Sequence, residues 1–375
     1  MGIDNILLYD ETIFKDINVF DPDYVPEIFN YRDSQLQELA ICIRPAMKGG
    51  RPMNSVILGL PASGKTTAVL KIFEKIDDIT DKIVCCHINC QLNTTAFGIL
   101  SQIHKKVLGY KPPYTGSPFA AVYKKIMEKL SNEGKSLIVA LDDSNLIFNN
   151  NIADKIFYDI LRAHEEYPGV QTSIFVILPD IEFRYFLDKS VQSVFIPKEI
   201  SFNPYTYDEI YNILKERVRL GFYQGVIDDE LIEDITTKTH DQGDLRVGIN
   251  LLKVSGTIAE AEASRKITKE HVDKAIDEAQ LNKLRSLINE LGKNELKLME
   301  LIMESTSPKL TTGTLFEEFS EETGLSYATF KRTIDKLEFM KILDTKYLGK
   351  GQRGQKRSIN LRFHKKDIRR CLSKK

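Results

Sequence analysis

Residues 55–76 read SVILGLPASGKTTAVLKIFEKI, and this stretch decides the fold. The apolar run 55–58 predicts a short buried strand. Residues 65–76 predict a helix with Val69, Phe73 and Ile76 on one side. Between them, Gly59-Leu60-Pro61-Ala62-Ser63-Gly64-Lys65-Thr66 fits the pattern G-x-x-x-x-G-K-[S/T]. Gly59 and Gly64 let the backbone wrap closely round phosphate oxygens. The amides of 62–66 are expected to point inward as an anion nest at a helix N-terminus. The phosphate-binding set is therefore Gly59, Pro61, Ala62, Ser63, Gly64, Lys65, Thr66 and Thr67. Lys65 is expected at the β/γ-phosphates of ATP or ADP, and the Thr66 hydroxyl on Mg2+.

Working outward, short apolar runs alternate with helical patterns. KIVCCHIN (82–89), SLIVALD (136–142) and SIFVIL (173–178) predict further strands. Helices are predicted over 94–108, 117–131 and 152–166. Continuous apolar strands between helices imply a parallel sheet covered on both faces. A phosphate loop needs a second acidic group for Mg2+. Asp142, at the C-terminal end of its strand, is in the position where α/β sheets bind ligands. Asp143 follows it and is the candidate to polarise an attacking water.

After Pro204 helical periods take over, at 206–219, 228–239, 244–263 and 268–279. Helices at 294–304, 312–322 and 326–339 and strands near 342–348 and 357–363 follow. Three helices and a hairpin make the winged-helix pattern. The domains are read as 1–200, a nucleotide-binding core; 201–280, a helical lid; 281–292, a connector; and 293–375, a winged helix. In 326–339, Tyr327, Phe330, Ile334 and Leu337 are expected in the core. Thr329, Lys331, Arg332 and Lys336 form the opposite face, suited to the DNA major groove. Gly349-Lys350-Gly351-Gln352-Arg353-Gly354 matches a dinucleotide glycine motif, but a basic strand follows it instead of a helix. It is read as a wing tip, with Lys350, Arg353, Lys356 and Arg357 turned outward to phosphates.

Charge supports this division. The whole chain has 52 basic and 53 acidic residues, a net of −1. Residues 281–375 carry 21 basic and 12 acidic residues, so an acidic body precedes a basic end. A solvated basic tail would give the same count. No apolar run reaches the roughly 18 residues of a membrane helix. The N-terminus has no secretory h-region. The five cysteines lack framework spacing, which fits a reducing cytoplasm. His87 beside Cys85, Cys86 and Cys90 invites a zinc reading, but no C-x-x-C pair exists and neighbouring strand residues face opposite ways.

The order of parts resembles the archaeal origin-recognition (Orc) and cell-division-control replication initiators, of the AAA+ superfamily, along nearly the whole chain. VFDPDYVPEIFNYRDSQLQEL (19–39) is similar to that family's N-terminal box, placed here within 15–40. HINCQLNTTAFGILSQIHKKVLGYKPPYTGSP (87–118) resembles the stretch with the initiator-specific insert, placed at about 97–118. ISFNPYTYDEIYNILKERV (200–218) resembles the start of its lid, GDLRVGINLL (243–252) its sensor-two segment, and GKGQRGQKRSINL (349–361) its wing. The resemblance implies that Val25, Pro26 and Arg32 sit near the adenine, that Tyr205 and Arg217 contact the nucleotide, and that Arg246 reaches the phosphates from the lid. It also implies duplex origin DNA and the MCM replicative helicase as partners, a monomer or DNA-assembled oligomer, a nucleoid-associated cytoplasmic place and no membrane.

The departures concern hydrolysis. Many P-loop ATPases of the AAA+ type carry Glu where Asp143 stands, and Asp is one methylene shorter. The γ-phosphate-sensing Asn falls at Leu178, Pro179 and Asp180 here, and Ser190 replaces an Arg. Lys189 and Arg184 are the candidate substitutes. The expected function is an ATP-binding, DNA-binding replication initiator with weak or no ATP hydrolysis. An ATP-gated transcriptional regulator of the same architecture is the alternative; an active AAA+ motor is disfavoured by the degraded hydrolytic set.

Overall fold

The computed structural model describes residues 12–113, 116–148, 152–179, 187–305, 310–351 and 354–372, without the side chains of 348–356. Five strands, β1 (Ser55–Leu58), β2 (Ile83–Asn89), β3 (Ser136–Asp142), β4 (Thr172–Leu178) and β5 (Lys198–Ser201), form one parallel sheet in the order β2-β3-β4-β1-β5. β3 and β4 are buried at every position, which is why their sequences are unbroken apolar runs rather than alternations. β5 escapes a reading based on apolar runs, because only Ile200 of its four residues is buried.

Alternation sorts the sheet's side chains into two cores. Ile57, Cys85, Ile138, Phe175 and Ile177 pack with Leu39 and Ile43 of helix Asp33–Met47 and Val69 and Phe73 of helix Lys65–Ile79. Val56, Cys86, Ile88, Val139 and Val176 pack on the other face, with helices Ala96–Leu108, Phe119–Glu133 and Ile152–Leu161. The three layers bring the C-terminal ends of β1, β2 and β3 to one edge. The phosphate loop leaves from that edge.

The helices after β5 begin with Tyr207–Gly221, which starts in a capping box. The Thr206 hydroxyl accepts from the Glu209 amide, and the Glu209 carboxylate accepts from the Thr206 amide. Helices Asp229–Gln242 and Leu245–Ala261 follow. The N-terminal segment is sewn onto the first of them. Lys15 and Asp16 donate backbone N–H to the Gly221 carbonyl, and Phe14, Phe20 and Phe222 stack with centroids 4.8–6.0 Å apart. Gly221 lies against this aromatic cluster: a Cβ there would meet the Phe20 ring at 2.3 Å.

The chain divides into two compact units, 1–256 with 263–267, and 257–262 with 268–375. The second unit contains helix Lys269–Asn289, which continues through residues 281–289 of the segment read as a connector. Helices Lys293–Glu304, Thr312–Thr323 and Tyr327–Phe339 and the antiparallel hairpin β6 (Leu343–Gly351) and β7 (Gly354–Leu361) complete a winged helix. Phe330, Ile334 and Leu337 face its core. A last helix, Lys365–Leu372, was not read from the sequence; Ile368 and Cys371 bury its one apolar edge.

Gly221→Ala should lower unfolding stability by about 1–3 kcal/mol through overpacking. In the double variant with Phe20→Leu the loss should fall short of the sum of the two single losses. Urea unfolding of the three variants measures both effects.

Candidate nucleotide and nucleic-acid sites

The loop after β1 has the backbone its glycines allow. Gly59 has φ 153° and Gly64 φ 91°. A Cβ on Gly59 would lie 2.3 Å from the Phe202 carbonyl oxygen, and one on Gly64 would lie 2.7 Å from the Tyr205 hydroxyl. Neither position tolerates another residue. Ala62 also takes a left-handed conformation, φ 60°. Lys65 Nζ donates to the Gly59 and Leu60 carbonyls of its own loop. Burial lowers its pKa, and the nearby Arg246 lowers it further against the opposing charges of Asp142 and Asp143.

Asp142 is the centre of the site. Its Oδ2 accepts from the Thr66 hydroxyl at 2.6 Å and from His87 Nε2 at 3.0 Å, and its Oδ1 accepts from the Asp143 amide at 3.0 Å. Burial pushes the carboxyl up, but the hydrogen bonds from His87 and Thr66 outweigh it and hold Asp142 below the usual carboxylate range. Asp143 behaves oppositely. Burial and the adjacent Asp142 charge raise its pKa, despite Arg246 and Lys65. Its backbone is left-handed, φ 52°, and Asn89 Nδ2 reaches its carboxylate at 3.4 Å.

A hydroxyl and an ionised carboxylate 2.6 Å apart are hard oxygen donors that fit Mg2+. Among the described residues, no group of three or more His, Cys, Asp or Glu could hold a metal. A cation at Thr66 and Asp142 would therefore complete its shell with phosphate and water oxygens. Cys85, Cys86 and Cys90, which invited the zinc reading, are buried thiols whose pKa burial pushes up to about 12.

The residues assigned to the adenine end do different work from one another. Arg32 is buried, and its guanidinium donates to the carbonyls of Ser63 at 3.0 Å, Tyr31 at 3.0 Å and Asn203 at 2.8 Å. It also stacks 3.8 Å over the Tyr205 ring. Arg217, also buried, donates to the Val19 carbonyl at 2.7 Å and lies over Tyr24. Val25 and Pro26 are half-buried, and Lys71 donates to the Pro26 carbonyl. Pro61 is exposed on the loop, and Thr67 is half-buried in the first turn of its helix. Arg246, at the start of helix Leu245–Ala261, is exposed and electrostatically coupled to Lys65 and Asp143. A cavity of about 90 Å3 separates Leu60–Ser63 from Ile210, His240 and Leu245. His240 carried no motif that would have singled it out.

Pro179 is exposed at the end of β4 and has no donor, and Ser190 and Lys189 are exposed. Asp180 and Arg184 lie outside the described residues.

On the winged helix, Lys331 and Arg332 are exposed as expected, and Thr329 is half-buried beside the helix cap, its hydroxyl 3.3 Å from that of Ser326. Two cations are already paired. Lys336 bonds Glu295 at 3.0 Å. Arg357 does not turn outward: it bonds Asp335 at 3.1 Å and lies 3.7 Å from Glu338. Strand pairing brings the base of the wing against the acidic flank of helix Tyr327–Phe339, which the sequence order conceals. Arg353 and the side chains of Lys350 and Lys356 lie outside the described residues.

Residues 211–277 match the Cdc6 AAA+ ATPase-type lid domain. The chain is 52% identical to ORC1-type DNA replication protein 2 of Methanothermobacter thermautotrophicus, over 98% of this chain and 97% of that protein. It is 40% identical to ORC1-type DNA replication protein 2 of Methanosarcina acetivorans, over 99% of each. The Aeropyrum pernix ORC1 protein, solved in complex with DNA, matches with a TM-score of 0.77 and 26% identity over 97% of this chain and 98% of that one. The Aeropyrum pernix ORC2 protein, solved as ADPNP–ADP complexes, shares the fold at a TM-score of 0.64 and 23% identity over 96% and 99%.

The two aspartates should respond to acid with opposite signs. Asp142 has a depressed folded pKa, so its charge stabilises the fold above the unfolded value of about 3.9 and the contribution is lost as pH falls through the folded value. Asp143 has a raised pKa, so its ionisation costs stability as pH rises through that window. Asp143→Asn should therefore stabilise the protein at pH 7 and Asp142→Asn destabilise it. Both differences should shrink in urea titrations below about pH 4.

Proposed function

The chain belongs to the ORC1-type family of DNA replication proteins, and we propose on that premise that it is an ATP-binding initiator that grips duplex origin DNA. The Thr66–Asp142 contact beneath a glycine-built phosphate loop carries the nucleotide reading. ATP or ADP would lie with its phosphates on the amides of 62–66, Lys65 leaving its own loop carbonyls for them. Mg2+ would be shared between Thr66 and Asp142. It would neutralise phosphate charge there. Arg246 would reach the same phosphates from the lid, so that nucleotide ties the lid helices to the core. Arg32, whose donors are committed to carbonyls, would build the wall of the site rather than read the base.

Three features support weak or absent hydrolysis. The Asp143 carboxylate sits on a left-handed residue and its ionisation is disfavoured. Pro179 has no side-chain donor where a phosphate sensor is expected. Ser190 is exposed and its side chain is too short for an arginine's role.

The helix Tyr327–Phe339 would enter the major groove, with Lys331 and Arg332 facing DNA, while Lys350, Arg353 and Lys356 of the wing and the insert near 97–118 would follow phosphates. DNA bound in this way would present a platform for loading the MCM helicase. A structural relative whose solved form contains DNA, at 26% identity, supports the duplex reading.

Turnover with DNA present should be roughly a hundredfold or more below that of AAA+ enzymes with an intact glutamate, and Asp143→Glu should raise it. Ordinary wild-type turnover would refute the hydrolysis reading. DNA affinity should fall with salt at a log–log slope of about −0.9 per phosphate contact. Lys331→Ala should reduce that slope by about one contact, and Lys336→Ala by less, because Glu295 already neutralises it. Footprints at promoters but not at origin repeats would turn the assignment to a transcriptional regulator.

A further inference from the structure

We propose that His87 is a positioning residue for the divalent-cation site, holding the Asp142 carboxylate in the orientation that faces Thr66. The proposal rests on the nucleotide reading above and adds a residue to it. His87 lies on β2 opposite Ala140 of β3, so its side chain shares a face of the sheet with Asp142, two residues further on. Its Nε2 meets Asp142 Oδ2 at 3.0 Å, the same oxygen that accepts from Thr66. An ionised carboxylate only accepts hydrogen bonds, so the proton of this contact is on His87 Nε2.

The arithmetic of donors gives His87 its role. The Thr66 hydroxyl has one hydrogen and donates it to Asp142, which leaves its lone pairs for a cation. Asp142 is 4% exposed, so bulk water does not replace a missing donor at low cost. The Asp143 amide fixes the other oxygen. With His87 in place, the carboxylate is gripped from β2, from β3 and from the phosphate-loop helix at once. Without it, Oδ2 hangs on Thr66 alone, and any movement of Asp142 drags the hydroxyl ligand with it. Asn89, the next residue on the same face of β2, is committed to Asp143 and to the amides of Gln91 and Leu92. The role is therefore not duplicated on β2.

The alternative is a histidine that merely fills space, and the test separates the two. Nucleotide binding by the full chain is titrated calorimetrically with Mg2+ and again with EDTA. His87→Ala should lose about 10–100-fold in the Mg2+-dependent affinity, the usual effect of removing a partner behind a metal ligand. Its affinity in EDTA should stay within about twofold of wild type, a change small on the scale of one hydrogen bond. His87→Gln, whose amide nitrogen reaches the place of Nε2, should recover most of the loss. His87→Phe, which fills the space without a donor, serves in place of alanine should that variant not fold; it should behave as the alanine variant does. An unchanged Mg2+ enhancement in the donor-less variants, or an equal loss with and without Mg2+, overturns the proposal. A wild-type chain that binds no nucleotide in either buffer overturns the nucleotide reading itself, and this proposal with it.

Discussion

One buried guanidinium ties the phosphate-loop end of this protein together. Arg32 stands before helix Asp33–Met47 and donates to carbonyls of the phosphate loop, of its own segment and of the chain leaving β5. Three stretches separated by up to 171 residues thus share one planar donor fork. Lysine could not replace it, because a single ammonium cannot span three carbonyls in fixed directions while stacking on Tyr205. The loop needs this support. Gly59, Ala62 and Gly64 all take backbone conformations that favour glycine, and Gly59 and Gly64 leave no room for a Cβ. Arg217 repeats the device one layer away, joining the lid helix Tyr207–Gly221 to Val19 and Tyr24. The N-terminal segment is thereby part of the site's framework and not an appendage to it.

The electrostatics follow from crowding at the sheet's C-terminal edge. Two adjacent carboxylates, a lysine and a lid arginine lie within each other's field. Asp142 stays charged because it has hydrogen-bond donors on both oxygens. Asp143 has one long contact and a like charge beside it, so its charge is disfavoured. The same sequence pair therefore divides into a well-held, ionised carboxylate and one whose charge is disfavoured. On the winged helix, the large basic excess of 281–375 overstates what is available to a polyanion. Glu295, Asp335 and Glu338 hold Lys336 and Arg357, and Asp344 holds Arg362. Lys365 is spent on the carbonyls that end helix Lys293–Glu304.

By itself the sequence determined what depends on local spacing. A glycine–lysine–threonine loop between an apolar strand and an amphipathic helix, further apolar runs, and three helices before a hairpin fix the layers and the place of the phosphate loop. These are legible because periodicity and turn chemistry act over a few residues. The short strand β5 and the helix Lys365–Leu372 were missed because each buries too few apolar residues to show a period. Only the tertiary structure decided which groups meet. His87 and Asp142 are 55 residues apart and touch because β2 and β3 run parallel in one register. Arg357 meets Asp335 through the fold-back of the wing, and Arg32 meets Ser63 and Asn203 through the packing of three segments. Charge and residue type were visible in advance. Partnership was not, because it is set by strand register and helix packing, which no local pattern encodes.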